Sequence, residues 1–88
     1  MQTSGSDRAR TTVAYLRRRI ISGDWPVGSR IPTESELMES LAVGRTTIRE
    51  AVRSLATMGM LETAPSRGTF VRSRLPASSV LALSLIHI

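Results

Sequence analysis

A chain of 88 residues has room for one small domain with a single modest core. Cysteine is absent and His87 is the one histidine, which excludes disulfides, cysteine-based zinc sites and a conventional histidine metal centre, and permits a reducing compartment. All twelve basic residues are arginine against seven acids, a formal charge of +5 that favours nucleic acid or another anionic surface as partner.

Residues 1–6 are small and polar and are expected to be disordered, without the apolar run of a secretory signal. From Asp7 to Ser22, Ala9, Val13, Leu16 and Ile20 recur at helical spacing, with Asp7 as a plausible cap, Arg17 to Arg19 near the C-terminal end and Gly23 as the stop. The arginine triplet reads as solvated helix surface. Asp24 to Gly28 is a turn whose Trp25 covers the edge of the core, and Ser29 to Ile31 forms one very short strand before Pro32 breaks it. Thr33-Glu34-Ser35-Glu36 is a capping box, so a second helix starts there, with Leu37, Met38 and Leu41 inward. Its acids Glu34, Glu36 and Glu39 repel phosphates, so this helix is expected to cross a nucleic-acid backbone with its N-terminal end.

About three residues further on, the stretch from Gly44 to Gly59 carries two unlike faces. At 100° per residue, Ile48, Ala51, Val52, Leu55 and Met58 share an apolar arc, while Arg45, Thr46, Arg49 and Arg53 fall on a basic arc about 100° wide. Gly44 serves as N-cap and Gly59 as the left-handed residue closing the helix. Glu50 is expected to pair locally with Arg49 or Arg53 rather than to accept from a base. After Gly59, Met60 to Thr63 and Thr69 to Arg72 read as two strands around Ala64-Pro65-Ser66-Arg67-Gly68, a hairpin anchored by Leu61, Phe70 and Val71 with Arg67 at its tip. Arg53, Arg72 and Arg74 read as solvated charges. Residues 73–88 are expected to be a linker and a truncated or artefactual apolar tail, too short to span a bilayer.

This order gives an α+β fold, three helices plus a small antiparallel hairpin over residues 7–72, the winged helix-turn-helix arrangement. The residues Gly28-Ser29-Arg30-Ile31-Pro32-Thr33-Glu34, Arg45-Thr46-Thr47-Ile48-Arg49-Glu50-Ala51, Gly59-Met60-Leu61 and Gly68-Thr69-Phe70-Val71 make it resemble the N-terminal DNA-binding domain of the GntR family of bacterial transcription regulators. Arg-Thr-Thr followed by Arg-Glu-Ala is similar to the FadR-like branch. The resemblance implies that Arg45, Thr46, Thr47 and Arg49 contact bases and phosphates in a major groove, and that the wing residues Arg67, Gly68 and Thr69 enter the minor groove. Ser35 stands where some members read DNA with an arginine, and retains a hydroxyl for a phosphate; Gly44 replaces the usual serine or threonine cap.

What the resemblance implies for the whole protein is a cytoplasmic homodimer on a palindromic double-stranded operator, with no membrane partner. No cofactor is expected in this chain; a small-molecule effector would bind a C-terminal domain beyond it. Enzymatic activity is not expected, since the carboxylates have no histidine, cysteine or lysine beside them. Two other uses of the fold stay open: fusion to a pyridoxal-phosphate aminotransferase-like domain, and a winged helix that contacts protein.

Overall fold

The computed structural model describes residues 5–76, as three helices followed by a hairpin. Helix α1, Gly5–Ile21, starts two residues before Asp7, which therefore lies in the first turn, where its charge complements the helix dipole, and not at the cap. Residues 1–4 of the expected N-terminal stretch lie outside the described residues, as do 77–88 of the expected linker and tail. Helix α2, Glu34–Leu41, is opened by the capping box: the Glu36 amide donates to Thr33 Oγ1 at 3.1 Å, and the Thr33 amide donates to Glu36 Oε1 at 3.0 Å. The Thr33 amide foremost, and then the Thr33 hydroxyl, hold the Glu36 carboxylate below its usual range.

Helix α3, Arg45–Thr57, follows after a tight turn. Ala42 makes that turn in a left-handed conformation, φ 54°, with its amide bonded to Met38 O. Gly59, φ 82°, closes α3: its amide donates to Ala56 O at 3.0 Å and the Met60 amide to Leu55 O at 2.9 Å. The chain then forms β1, Leu61–Ala64, and β2, Gly68–Val71, antiparallel with Leu61 opposite Val71 and Ala64 opposite Gly68. The expected short strand is an isolated bridge between Arg30 and Phe70, flanked by Ile31 N to Thr69 O and Val71 N to Ser29 O, both 2.9 Å. It ties the free edge of β2 to the segment entering α2, which fixes the hairpin against the helices.

One core joins all of this. Leu16 and Ile20 of α1, Leu37 of α2, and Ile48, Ala51 and Leu55 of α3 meet Ile31, Met60, Leu61 and Val71, each side chain contributing about 1.5–3 kcal/mol where a large aliphatic group is fully buried. Val13, Met38, Leu41, Val52 and Met58 pack around it, and Trp25 covers the edge as expected, its ring edge-on to Tyr15 at 6.5 Å. Thr12, absent from the expected stripe, is buried because its hydroxyl bonds Arg8 O at 2.8 Å. Phe70 is not an anchor. Neighbouring strand residues point to opposite faces, so burial of Val71 with Leu61 puts Phe70, which is half-buried, and its exposed partner Glu62 on the face away from the core.

Candidate nucleic-acid interface

The inward face of α3 is sealed into the core, which forces the other face out. Arg45, Thr46 and Arg49 are exposed and Thr47 is half-buried beside them. The recognition arginines are held from a distance in sequence. Arg49 Nε donates to Glu34 Oε2 at 3.0 Å, and Arg45 Nε lies 3.8 Å from Glu34 Oε1. The terminal nitrogens of both guanidiniums make no hydrogen bond among the described residues, which leaves their donors for guanine O6 and N7. The exposed pairs are worth little as stability, but they restrict where the forks sit.

Glu34 is therefore the residue that sequence reading missed. Glu50, four residues before Ser54 on the same helix and expected to pair with Arg49 or Arg53, makes no ion pair among the described residues. No local signal gives this pairing, because Glu34 and Arg49 are 15 residues apart and meet only once α2 folds against α3. Glu34 also revises the idea that the acids of α2 only repel phosphates, because its charge is taken up by two arginines.

The hairpin tip lies on the same side. Arg67 and Gly68 are exposed at the turn, and Thr69 is half-buried with its hydroxyl 3.4 Å from that of Thr63. The turn is shaped by Pro65, by Ser66 at φ 66° and by the Arg67 amide donating to Ala64 O at 3.0 Å. Gly68 adopts φ 113°, which requires glycine, and a β-carbon there would stand 2.9 Å from Arg30 Cδ and displace that side chain. Between tip and helix runs an open groove of about 780 Å³ whose lining includes Arg30, Glu34, Arg49, Arg53, Arg67 and Thr69. Ser35 is exposed at the first turn of α2, outside that lining.

Gly44 caps α3 in an extended conformation with no side-chain bond, and its carbonyl accepts from Ile48 N at 3.2 Å. No cluster of three metal-ligating side chains occurs among the described residues, and no helix among them is long and apolar enough to cross a membrane.

A helix-turn-helix with an outward basic and hydroxyl-bearing face, flanked by a hairpin wing on the same side, defines a winged helix-turn-helix DNA-binding domain. The comparison with known proteins goes further. Residues 8–71 match the family described as bacterial regulatory proteins, gntR family, and the chain belongs to that family. It is 34% identical over 87 residues to a probable fructoselysine utilization operon transcriptional repressor of Escherichia coli, covering 92% of this chain and 36% of that protein. Among solved structures it resembles Streptococcus agalactiae GntR, with 44% identity, a TM-score of 0.71 and coverage of 88% of this chain and 38% of that one. The AraR DNA-binding domain in complex with operator ORR3 superposes with a TM-score of 0.71 at 34% identity, over 73% of this chain and 77% of that one. The chain spans between 12% and 36% of the lengths of the curated relatives it matches.

Proposed function

We propose that this domain reads duplex DNA by laying α3 in the major groove while the wing tip enters the neighbouring minor groove, as the operator-binding part of a metabolite-responsive transcription regulator. The carrying observation is that Arg49 and Arg53 of α3 line one groove with the wing-tip residues Arg67, Gly68 and Thr69, while Arg45 and Thr46 are exposed at the start of the same helix. In this reading Arg45 and Arg49 meet guanine edges, Thr46 and Thr47 meet thymine methyls or phosphates, and the Ser35 hydroxyl meets a phosphate. Arg67, Gly68 and Thr69 lie in the minor groove, where a backbone without a side chain at Gly68 allows close approach.

The relatives' greater length supports an effector-binding domain beyond this one, and dimerisation through it would match a palindromic operator in the cytoplasm. This domain alone is then a weak binder. Of its carboxylates, Glu36 caps α2, Asp7 lies in the first turn of α1, and Asp24 and Glu34 pair with arginines, and none is assigned a catalytic role.

The test is selection of duplexes from a randomised pool, followed by fluorescence anisotropy over a salt series. Binding should weaken steeply with salt, and Arg45→Ala and Arg49→Ala should each cost about 1–3 kcal/mol on the selected duplex while relaxing preference at one base pair. Affinity indifferent both to salt and to these changes would refute the reading.

A further inference from the structure

We infer that Arg30 and Arg53 form a clamp for the one sugar-phosphate strand that separates the major-groove helix from the minor-groove wing. The inference rests on the reading just given. A protein that places α3 in one groove of a duplex and its wing in the next must straddle the ridge between them, and that ridge is a phosphodiester backbone. The part of the protein that meets it is the floor and walls of the space between α3 and the wing. That space is the groove of about 780 Å³, and Arg30 and Arg53 line it together with Arg49 and Arg67.

The two residues come to the groove from opposite sides. Arg53 stands one turn beyond Arg49 on the exposed face of α3. Arg30 arrives from the bridge opposite Phe70, and its aliphatic stem lies against the wing at Gly68, where a β-carbon would come within 2.9 Å of Cδ and 3.3 Å of Cγ. A stem held against the wing limits where its guanidinium can go.

Neither guanidinium is spent internally. Arg30, Arg53 and Arg67 make no side-chain hydrogen bond or ion pair among the described residues, whereas Glu34, an acid in the same lining, is engaged by Arg49 and Arg45. Arg30 lies close enough to Glu36 to act on its charge without forming an ion pair. The groove thus presents three uncommitted cations to whatever enters, and an arginine meets phosphate through two parallel N–H donors.

The experiment uses the 88-residue domain and a duplex selected from the random pool by the unmodified domain. Arg30→Ala and Arg53→Ala should each weaken binding by roughly five- to tenfold near 0.1 M salt, equally on selected and scrambled duplexes, and lower the salt slope by about one. Arg17→Ala, on the outer face of α1, removes the same charge and should leave the slope unchanged, which separates a contact from net charge. Replacing individual phosphates with neutral methylphosphonates should reveal one position at which Arg30→Ala or Arg53→Ala has no further effect. Melting curves of each variant detect any loss of folded domain, and Arg30→Lys should keep the slope if charge at that place is what counts.

If the unmodified domain selects no duplex and ignores salt, the DNA reading itself fails. If it binds with a steep slope and both alanine variants match it in affinity and slope, or if Arg17→Ala lowers the slope equally, the clamp is wrong while the DNA reading stands.

Discussion

Helix α1 carries five arginines and α3 only three, yet the candidate interface is built on α3. What separates the two helices is what faces them. Arg19 of α1 is occupied: it donates to Asp24 Oδ2 at 2.9 Å and to the Tyr15 hydroxyl at 3.2 Å, with its guanidinium 5.2 Å from the Tyr15 ring centre. These contacts, the Tyr15 bond first, raise its pKa above an already high value. Arg10 and Arg17 lie along the outer surface with Val13, Ala14 and Ile21, and Arg18, which borders them, also faces Leu41, Ala42 and Val43 across a separate hollow that receives nothing from the wing. The α3 arginines instead face the start of α2 and the wing across a groove, where several cations converge on one space. Charge count locates a helix surface; convergence of cations from α3, the bridge and the wing on one groove locates an interface.

The harshest way to break this contrast is to remove what the two helices share. Leu55 and Leu16 are fully buried in one core, and α1 packs against α3. Leu55→Ala should cost about 2–5 kcal/mol, which for a domain this small approaches its whole stability. Urea unfolding should show α1 and α3 lost in one transition; a stable α1 after α3 has melted would mean that the helices are separate units and that the comparison has no common frame.

A milder change acts at the groove alone. Glu34→Gln removes the carboxylate beside Arg45 and Arg49 while keeping an acceptor of the same shape. Binding to scrambled duplex should strengthen several-fold, because a repelling charge is gone, while the ratio of selected to scrambled affinity falls as the forks lose their restraint. An unchanged ratio would show that Glu34 does not orient the arginines. Arg19→Ala is the matching change on α1, and it should lower the melting temperature without altering that ratio.

Much of this was legible in the sequence. The periodicity of Ile48, Ala51 and Leu55 and the capping box at Thr33 are local signals, and both stand in the structure as read. What was missed depends on non-local geometry. Glu34 meets Arg49 only after the turn at Ala42 folds α2 back on α3, and Arg74, expected to be solvated, donates to Ile21 O at 2.6 Å across 53 residues. Phe70 was misplaced because an apolar pair in a strand does not say which member faces in until the register with Leu61 is known.

The turn at Ala42 offers a smaller effect of opposite sign. A left-handed alanine is strained by about 1–2 kcal/mol, and glycine recovers that at an entropic cost of about 0.5–1 kcal/mol. Ala42→Gly should therefore stabilise the domain by about 0.5–1 kcal/mol, read as a higher urea midpoint. Affinity for the selected duplex should hold, since the angle between α2 and α3 is set by the Leu37 and Ile48 contacts with the core. A stabilised domain that no longer binds would place the strain itself in the recognition geometry.

The smallest effect concerns the start of α2, which carries Glu34 to the groove. Glu36 accepts the Thr33 amide, and its pKa is lowered on folding, first by that bond and then by the Thr33 hydroxyl. A depressed carboxylate pKa stabilises the fold above the unfolded value, about 4.3 for glutamate, and that contribution is lost as pH falls through the folded value. Glu36→Gln keeps an acceptor at the same place but has no charge to titrate. The melting temperature of the unmodified domain should exceed that of Glu36→Gln at neutral pH, and the gap should close on acidification below about pH 4. A gap that stays constant through that range would mean that the capping box stabilises through the shape of its acceptor alone, and that the charge at Glu36 contributes nothing to holding Glu34 against Arg49.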